Sequence, residues 1–208
     1  ELGEPDVLYL NDGKGRFRAE SWTEGRFLDP EGQPLTAPLM DWGVSALFRD
    51  LNGDGHPDLY VCNDYYSPDR LWFNDGSGRL RLAPELALRK TSWASMAIDA
   101  ADINRDGFDD LFITEMLGAT HLRRHVQHSL QEIDPLPIWG WGWGPERPGP
   151  RIQVMRNALL RNRGDGTFAE IGLQAGVHAT DWSWGCLFLD VDLDGFEELL
   201  VANGHSRD

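Results

Sequence analysis

The chain is poor in cysteine: only Cys62 and Cys186 occur among 208 residues, which excludes a disulfide-framework fold and leaves the redox compartment open. It holds no apolar run near the ~18 residues that a membrane-spanning helix needs. Its first residues, Glu1 to Asp6, carry no basic-then-apolar leader, and because Glu1 stands where an initiator Met would, a mature or excised piece is expected. Positive charge is scarce as well. Nineteen Lys and Arg against 34 Asp and Glu leave a formal charge of −15, so a phosphate backbone would be repelled and nucleic-acid binding drops out. The nucleophile elbow G-x-S-x-G, the P-loop, H-E-x-x-H and C-x-x-C are all missing, and a non-catalytic protein is expected.

What the chain has in quantity is turn formers and aromatics. Twenty-three Gly, 12 Pro, nine Trp and nine Phe suit many short strands better than long helices. With 41% apolar and 25% charged residues the composition is that of a globular, all-β chain.

Two interleaved repeats organise it. The first, PDVLYLNDGKGRF at 5–17, recurs as PDRLWFNDGSGRL at 68–80 and more loosely as NALLRNRGDGTF at 157–168. An apolar run, a Gly-rich turn and a second apolar residue read as a hairpin. The second follows D-x-[ND]-x-D-G-x-x-[DE]-L-x-[VI] and starts at residues 50, 102 and 190. Aromatic, strand-like segments precede the copies at Trp42 to Phe48, Trp93 to Ile98 and Trp182 to Phe188.

The copies divide the chain into a first unit (1–63), a second (64–116), an insertion (117–153) and a third unit (154–208). The insertion opens as a helix capped by Thr120 and continues into a Pro- and Gly-rich stretch with Trp139, Trp141 and Trp143. A period near fifty with about four strands per unit is the size of a propeller blade. The runs Leu59 to Cys62, Leu111 to Ile113 and Leu199 to Ala202 are continuously apolar, as in strands buried on both faces. About three blades in shifted phase are expected, completed by further sequence or by another chain.

The acidic loops carry the chemistry. A Ca²⁺ ion takes six to eight hard oxygens, and a tight loop presenting them at alternate positions can wrap it. The first loop offers Asp50, Asn52, Asp54, the His56 carbonyl and Asp58. The second offers Asp102, Asn104, Asp106, the Phe108 carbonyl and Asp110; the third, Asp190, Asp192, Asp194, the Phe196 carbonyl and Glu198. An EF-hand needs an acid at position 12, where this chain has Val61, Ile113 and Val201. Asn-Gly and Asp-Gly also make ordinary turns, but three copies conserve the oxygen positions while the residues between them vary. One structural Ca²⁺ per loop is expected, in the millimolar calcium outside the cytoplasm.

These loops, the N-D-G-x-G turns and WSWGCLFLD at 182–190 resemble FG-GAP, or VCBS, repeats, as in integrin α-subunit propellers. More narrowly they resemble secreted proteins of the cartilage acidic protein type, including bacterial members, whose interrupted blade is similar to TEMLG at 114–118 and the basic helix after it. Ala97 departs from the Gly frequent there. The resemblance implies a seven-bladed, calcium-bound propeller in an exported protein, used in adhesion or protein binding. Glycan binding through Trp139, Trp141 and Trp143, or service as an accessory part of an exported complex or enzyme, is the alternative. His121, His125 and His128 share one helix face, which reads more simply as a polar face beside Arg123 and Arg124 than as a metal site. Cys62 and Cys186 fall in strands of different units and are expected to be reduced core thiols.

Overall fold

The computed structural model describes residues 3–65, 67–130 and 152–204, with the backbone alone over 126–130. The chain opens with a hairpin of β1 (Tyr9–Asn11) and β2 (Phe17–Ala19). β3 (Phe27–Leu28), β4 (Gly43–Arg49), β5 (Asp58–Asn63), β6 (Arg70–Asn74) and β7 (Leu80–Leu82) form a first sheet. In it β4 to β7 run as an antiparallel meander and β3 adds in parallel outside β7. After β8 (Lys90–Ser92), β9 (Ala97–Ala101) and β10 (Asp110–Thr114) the chain enters α1 (His121–Leu130), whose Arg123 N–H is capped by Thr120 Oγ1 at 3.2 Å. β11 (Ile152–Val154) pairs in parallel with β8, and β12 (Ala158–Asn162) and β13 (Phe168–Glu170) complete a second sheet in the order β13-β12-β10-β9. The short α2 (Gly172–Ala175) then leads to the antiparallel pair β14 (Ser183–Leu189) and β15 (Glu198–Asn203).

The hairpins form because their turns are built from local chemistry. In each, the Asn side chain accepts the N–H of the Gly two residues on: Asn11 from Gly13 at 2.8 Å, Asn74 from Gly76 at 3.1 Å and Asn162 from Gly164 at 3.0 Å. Those glycines have φ of 77°, 78° and 69°, a region that costs a side-chain-bearing residue energy.

The sheets are out of phase with the sequence units, since the strand after each of the first two acidic loops pairs onward with the next hairpin. Successive inner strands then lie side by side, β4 beside β9 and β9 beside β14. Alternate residues of β5 therefore meet different neighbours. Tyr60 and Cys62 pack with Leu71, Leu111, Ile113 and Leu160 between the two sheets, while Leu59 and Val61 join Phe27, Trp72 and Leu80 on the opposite face. Both faces are covered, which is why the run is apolar throughout. On that second face Phe27 stacks on Trp22 at 4.1 Å and meets Trp72 edge-on at 5.4 Å.

β15 departs from its expectation. Its run reads like β5, yet Leu200 is 64% exposed and β15 alternates between exposed and half-buried, because it pairs with β14 alone among the described residues. Cys186 on β14 is correspondingly half-buried rather than a core thiol, whereas Cys62 is fully buried, and both are free. The incoming segment from Trp93 also starts its strand late, at Ala97, because Ser95 N–H reaches across to Asn63 O (3.1 Å) in the first sheet.

A buried carboxylate joins the two sheets. Asp69 accepts Asn63 N–H at 2.9 Å on one oxygen, and Tyr60 OH at 2.8 Å and Ser95 Oγ at 2.9 Å on the other. In the second sheet Asn157 takes the same place, accepting Glu115 N–H at 2.7 Å and donating to Thr180 Oγ1 at 2.6 Å beside Ser183. Asp69→Ala would take a buried acceptor away from three donors, so a loss of about 3–5 kcal/mol is expected. Urea unfolding is the check: the midpoint falls with the m-value unchanged, and a midpoint within error of the parent would show that Asp69 is no joint.

Candidate metal centre

Each acidic loop is a tight connection between an inner strand and the next: β4 to β5, β9 to β10, β14 to β15. Its carboxylates are aimed by backbone N–H groups of the loop itself. Asp50 Oδ1 accepts from Gly53 (2.8 Å) and Asp54 (3.2 Å), and its Oδ2 from Gly55 (2.8 Å). Asn52 accepts from Asp54 at 3.0 Å, and Asp54 from His56 at 2.9 Å. The second loop repeats this: Asp106 N–H bonds Asp102 Oδ1 at 3.0 Å, Gly107 N–H bonds Asp102 Oδ2 at 2.8 Å, and Phe108 N–H bonds Asp106 at 3.0 Å. In the third, Asp190 accepts from Gly195 at 2.9 Å, Asp192 from Asp194 at 3.1 Å and Asp194 from Phe196 at 2.8 Å. Carboxylate oxygens have two lone pairs each, so these bonds orient the groups and leave acceptor capacity free.

Two left-handed positions, not one, make the turn. Position 6 is Gly55, Gly107 or Gly195, with φ of 85°, 91° and 92°. Position 4 is also left-handed, as Gly53 (76°), Arg105 (58°) and Leu193 (60°). Motif reading missed this position because its residue type varies; Gly53 is the single hint. A non-glycine residue there costs roughly 1–2 kcal/mol, so the second and third loops hold strain that the first does not.

Position 9 does a second job. Asp58 is fully buried, and its oxygens accept Leu51 N–H at 3.0 Å and Asn74 N–H at 2.8 Å, tying the loop to β6. Asp110 is equally buried and accepts Asn162 N–H at 2.7 Å, while Glu198 takes Val191 N–H at 2.7 Å. Burial first, then the nearby Asp54 and Asp50, pushes Asp58 up to about 6 against the pull of its two N–H partners. Asp110 rises to about 6 the same way, with Asp106 and Asp102 adding to burial. Its Oδ2 is buried without a hydrogen bond: the Ile103 N–H, near enough to favour the ion, donates to Ala101 O at 3.1 Å.

The loops differ at position 3. Asn52 and Asn104 each donate Nδ2 to the carboxylate two residues on, both at 2.9 Å. Asp192 can do no such thing. Oxygens of Asp190, Asp192 and Asp194 lie within 4.8 Å of one another, and Asp190 Oδ1 is buried with no partner. At that spacing each pair of charges repels by about 1 kcal/mol in water and several-fold more near a protein surface. Such a donor set, all hard oxygen with an orphaned acceptor inside, is chemistry that suits a divalent cation.

Other sequence expectations fall elsewhere. His121 and His125 are exposed on α1, and Arg123 beside them pairs with Asp181. Trp139, Trp141 and Trp143 and the side chain of His128 lie outside the described residues. Among the described residues no helix is long and apolar enough to cross a membrane.

Mainly antiparallel sheets laid side by side, each with the same acidic loop joining two neighbouring strands, define an all-β repeat protein. The chain belongs to the FG-GAP-like repeat family: the family model matches residues 3–61 and again 50–113, together more than half of the chain. Its two matches meet on the first acidic loop, and the second runs on through the next; the third loop lies outside them. FG-GAP repeats make propeller-like modules for protein interaction and are in general not catalytic. No curated protein matches the chain.

Proposed function

We propose that the chain is a calcium-stabilised, non-catalytic interaction module of an exported protein, serving protein binding or adhesion. The observation that carries this reading is the third loop, where the carboxylates of Asp190, Asp192 and Asp194 converge and Asp190 Oδ1 is buried with no hydrogen-bond partner. Calcium suits these loops better than magnesium, because mixed carboxylate, amide and carbonyl donors on an irregular loop meet a flexible coordination shell more easily than a strict octahedron. Loops of this kind fill in millimolar calcium, which supports a location outside the cytoplasm. The ring is completed by further blades, from the same parent chain or from another.

Equilibrium dialysis against radiolabelled calcium tests the reading. One ion per loop is expected at millimolar calcium, and Asp190→Asn with Asp192→Asn should remove one of them while the chain stays folded. No bound calcium in a folded chain would end the proposal.

A further inference from the structure

Neighbouring acidic loops touch, and the contacts fall between their ligand positions. Asn162, on β12 and 1% exposed, donates Nδ2 to Leu51 O in the first loop at 2.7 Å and to Asp109 O in the second at 3.1 Å. Leu51 lies between Asp50 and Asn52; Asp109 lies between Phe108 and Asp110. The Asn162 main-chain N–H holds Asp110 itself. Phe108 reaches back in the same direction: a Cβ built on Gly53 would sit 3.0 Å from its ring. Arg49, at the end of β4, forms an ion pair with Asp109. Asn74, the counterpart of Asn162 in the first sheet, makes only the within-sheet half of this pattern, its amide going to Pro57 O at 3.0 Å.

We propose that Asn162 and Phe108 are positioning residues shared by the first two loops, so that these loops fill with calcium as a coupled pair. The inference rests on the calcium reading above. Among the described residues, the fully buried Asp110, with its orphaned Oδ2, is the ligand through which the coupling starts. A cation in the second loop fixes Asp110 and Asp109. Fixing them sets the Asn162 amide, and that amide holds the Leu51 peptide between two ligands of the first loop. The second ion therefore meets a loop whose ordering is already done, which is positive coupling and by linkage reciprocal. Mutual repulsion of two bound dications works the other way, but it is screened over about 8 Å at physiological salt, whereas the contact route is not.

Calorimetric calcium titrations separate the possibilities, run with the third loop disabled by Asp190→Asn and Asp192→Asn. Disabling the second loop with Asp102→Asn and Asp106→Asn should weaken the first loop's calcium affinity about tenfold, inside the usual range for coupled sites. In an Asn162→Ala background the same change should cost the first loop less than about twofold. Phe108→Leu, which keeps an apolar side chain there, should reduce the coupling too and stands in if the alanine variant does not fold. Asn74→Ala weakens the first loop but should leave the tenfold ratio in place, a difference that a merely structural role for these asparagines would not produce. A first-loop affinity indifferent to the second loop, or a ratio unchanged by Asn162→Ala and Phe108→Leu, overturns the coupling and leaves the calcium reading standing. Absence of saturable calcium binding in the parent overturns both.

Discussion

Ten millimolar calcium is expected to raise the thermal midpoint of the chelator-stripped chain by on the order of 10–30 °C, with equal magnesium giving a small fraction of that. The size follows from mass action. Loops of extracellular type bind calcium with Kd of roughly 10⁻⁴–10⁻³ M, so ten millimolar is 10 to 100 times Kd and contributes about 1.4–2.7 kcal/mol per loop. Three loops together contribute about 4–8 kcal/mol, and in a domain of this size each kcal/mol moves the midpoint by about 2–4 °C. The direction follows from the loops themselves. Asp190, Asp192 and Asp194 converge within 4.8 Å of one another, so the folded chain carries repulsion that unfolding relieves and calcium would cancel. Magnesium, which gives up its waters reluctantly, should not settle among these donors. Differential scanning calorimetry at matched ionic strength decides it. Equal shifts from the two ions would reduce the effect to general screening of a chain at −15, and the loops would then be turns alone.

What was legible in the sequence was local. The N-D-G-x-G turns could be read because their chemistry closes within a few residues, the Asn side chain capping the Gly N–H. The double-sided burial of β5 and β10 was legible from unbroken apolar runs, but β15 shows the limit of that signal. Its run is the same, yet its burial depends on which sheets lie beside it, and a strand's own residues do not specify their neighbours. The site divides along the same line. Alternate oxygens at positions 1, 3, 5 and 9 were visible as spacing. The left-handed backbone at Arg105 and Leu193 was not, because the residue type there varies. Nor was the tie from Asp58 to Asn74 and from Asp110 to Asn162, which joins residues 16 and 52 positions apart. The conserved Asn of the hairpin motif was in view all along, but as a turn former; that its main-chain N–H also holds a loop acid belongs to the sheet, not to the turn.

Glu115, which motif reading passed over, should make the chain lose stability as pH rises from about 5 to about 8, and Glu115→Gln should abolish the upper part of that slope. The residue follows β10, is 1% exposed, and has a buried Oε2 with no hydrogen-bond partner. Burial is the main cause that pushes its carboxyl from 4.5 up to about 8; Asp64 adds to the rise, and the Met116 and Leu117 N–H groups oppose it. Below pH 4.5 the group is protonated folded or unfolded, and it costs nothing. Between 4.5 and about 8 the unfolded chain ionises while the folded chain keeps its proton, so the folded state binds more protons and stability falls with rising pH. Above about 8 both states are ionised and the penalty is constant, about 2–5 kcal/mol at 1.36 kcal/mol per unit with allowance for relaxation. Asp58 and Asp110 act with the same sign but only up to about 6, so pH 6.5–8 isolates Glu115. Glutamine keeps the shape and removes the charge. Urea midpoints across that window should fall in the parent and stay level in Glu115→Gln, leaving the variant the more stable of the two at pH 8. Parallel slopes would mean that the Glu115 carboxylate finds a cation or a donor on ionising, and that its burial carries no charge penalty.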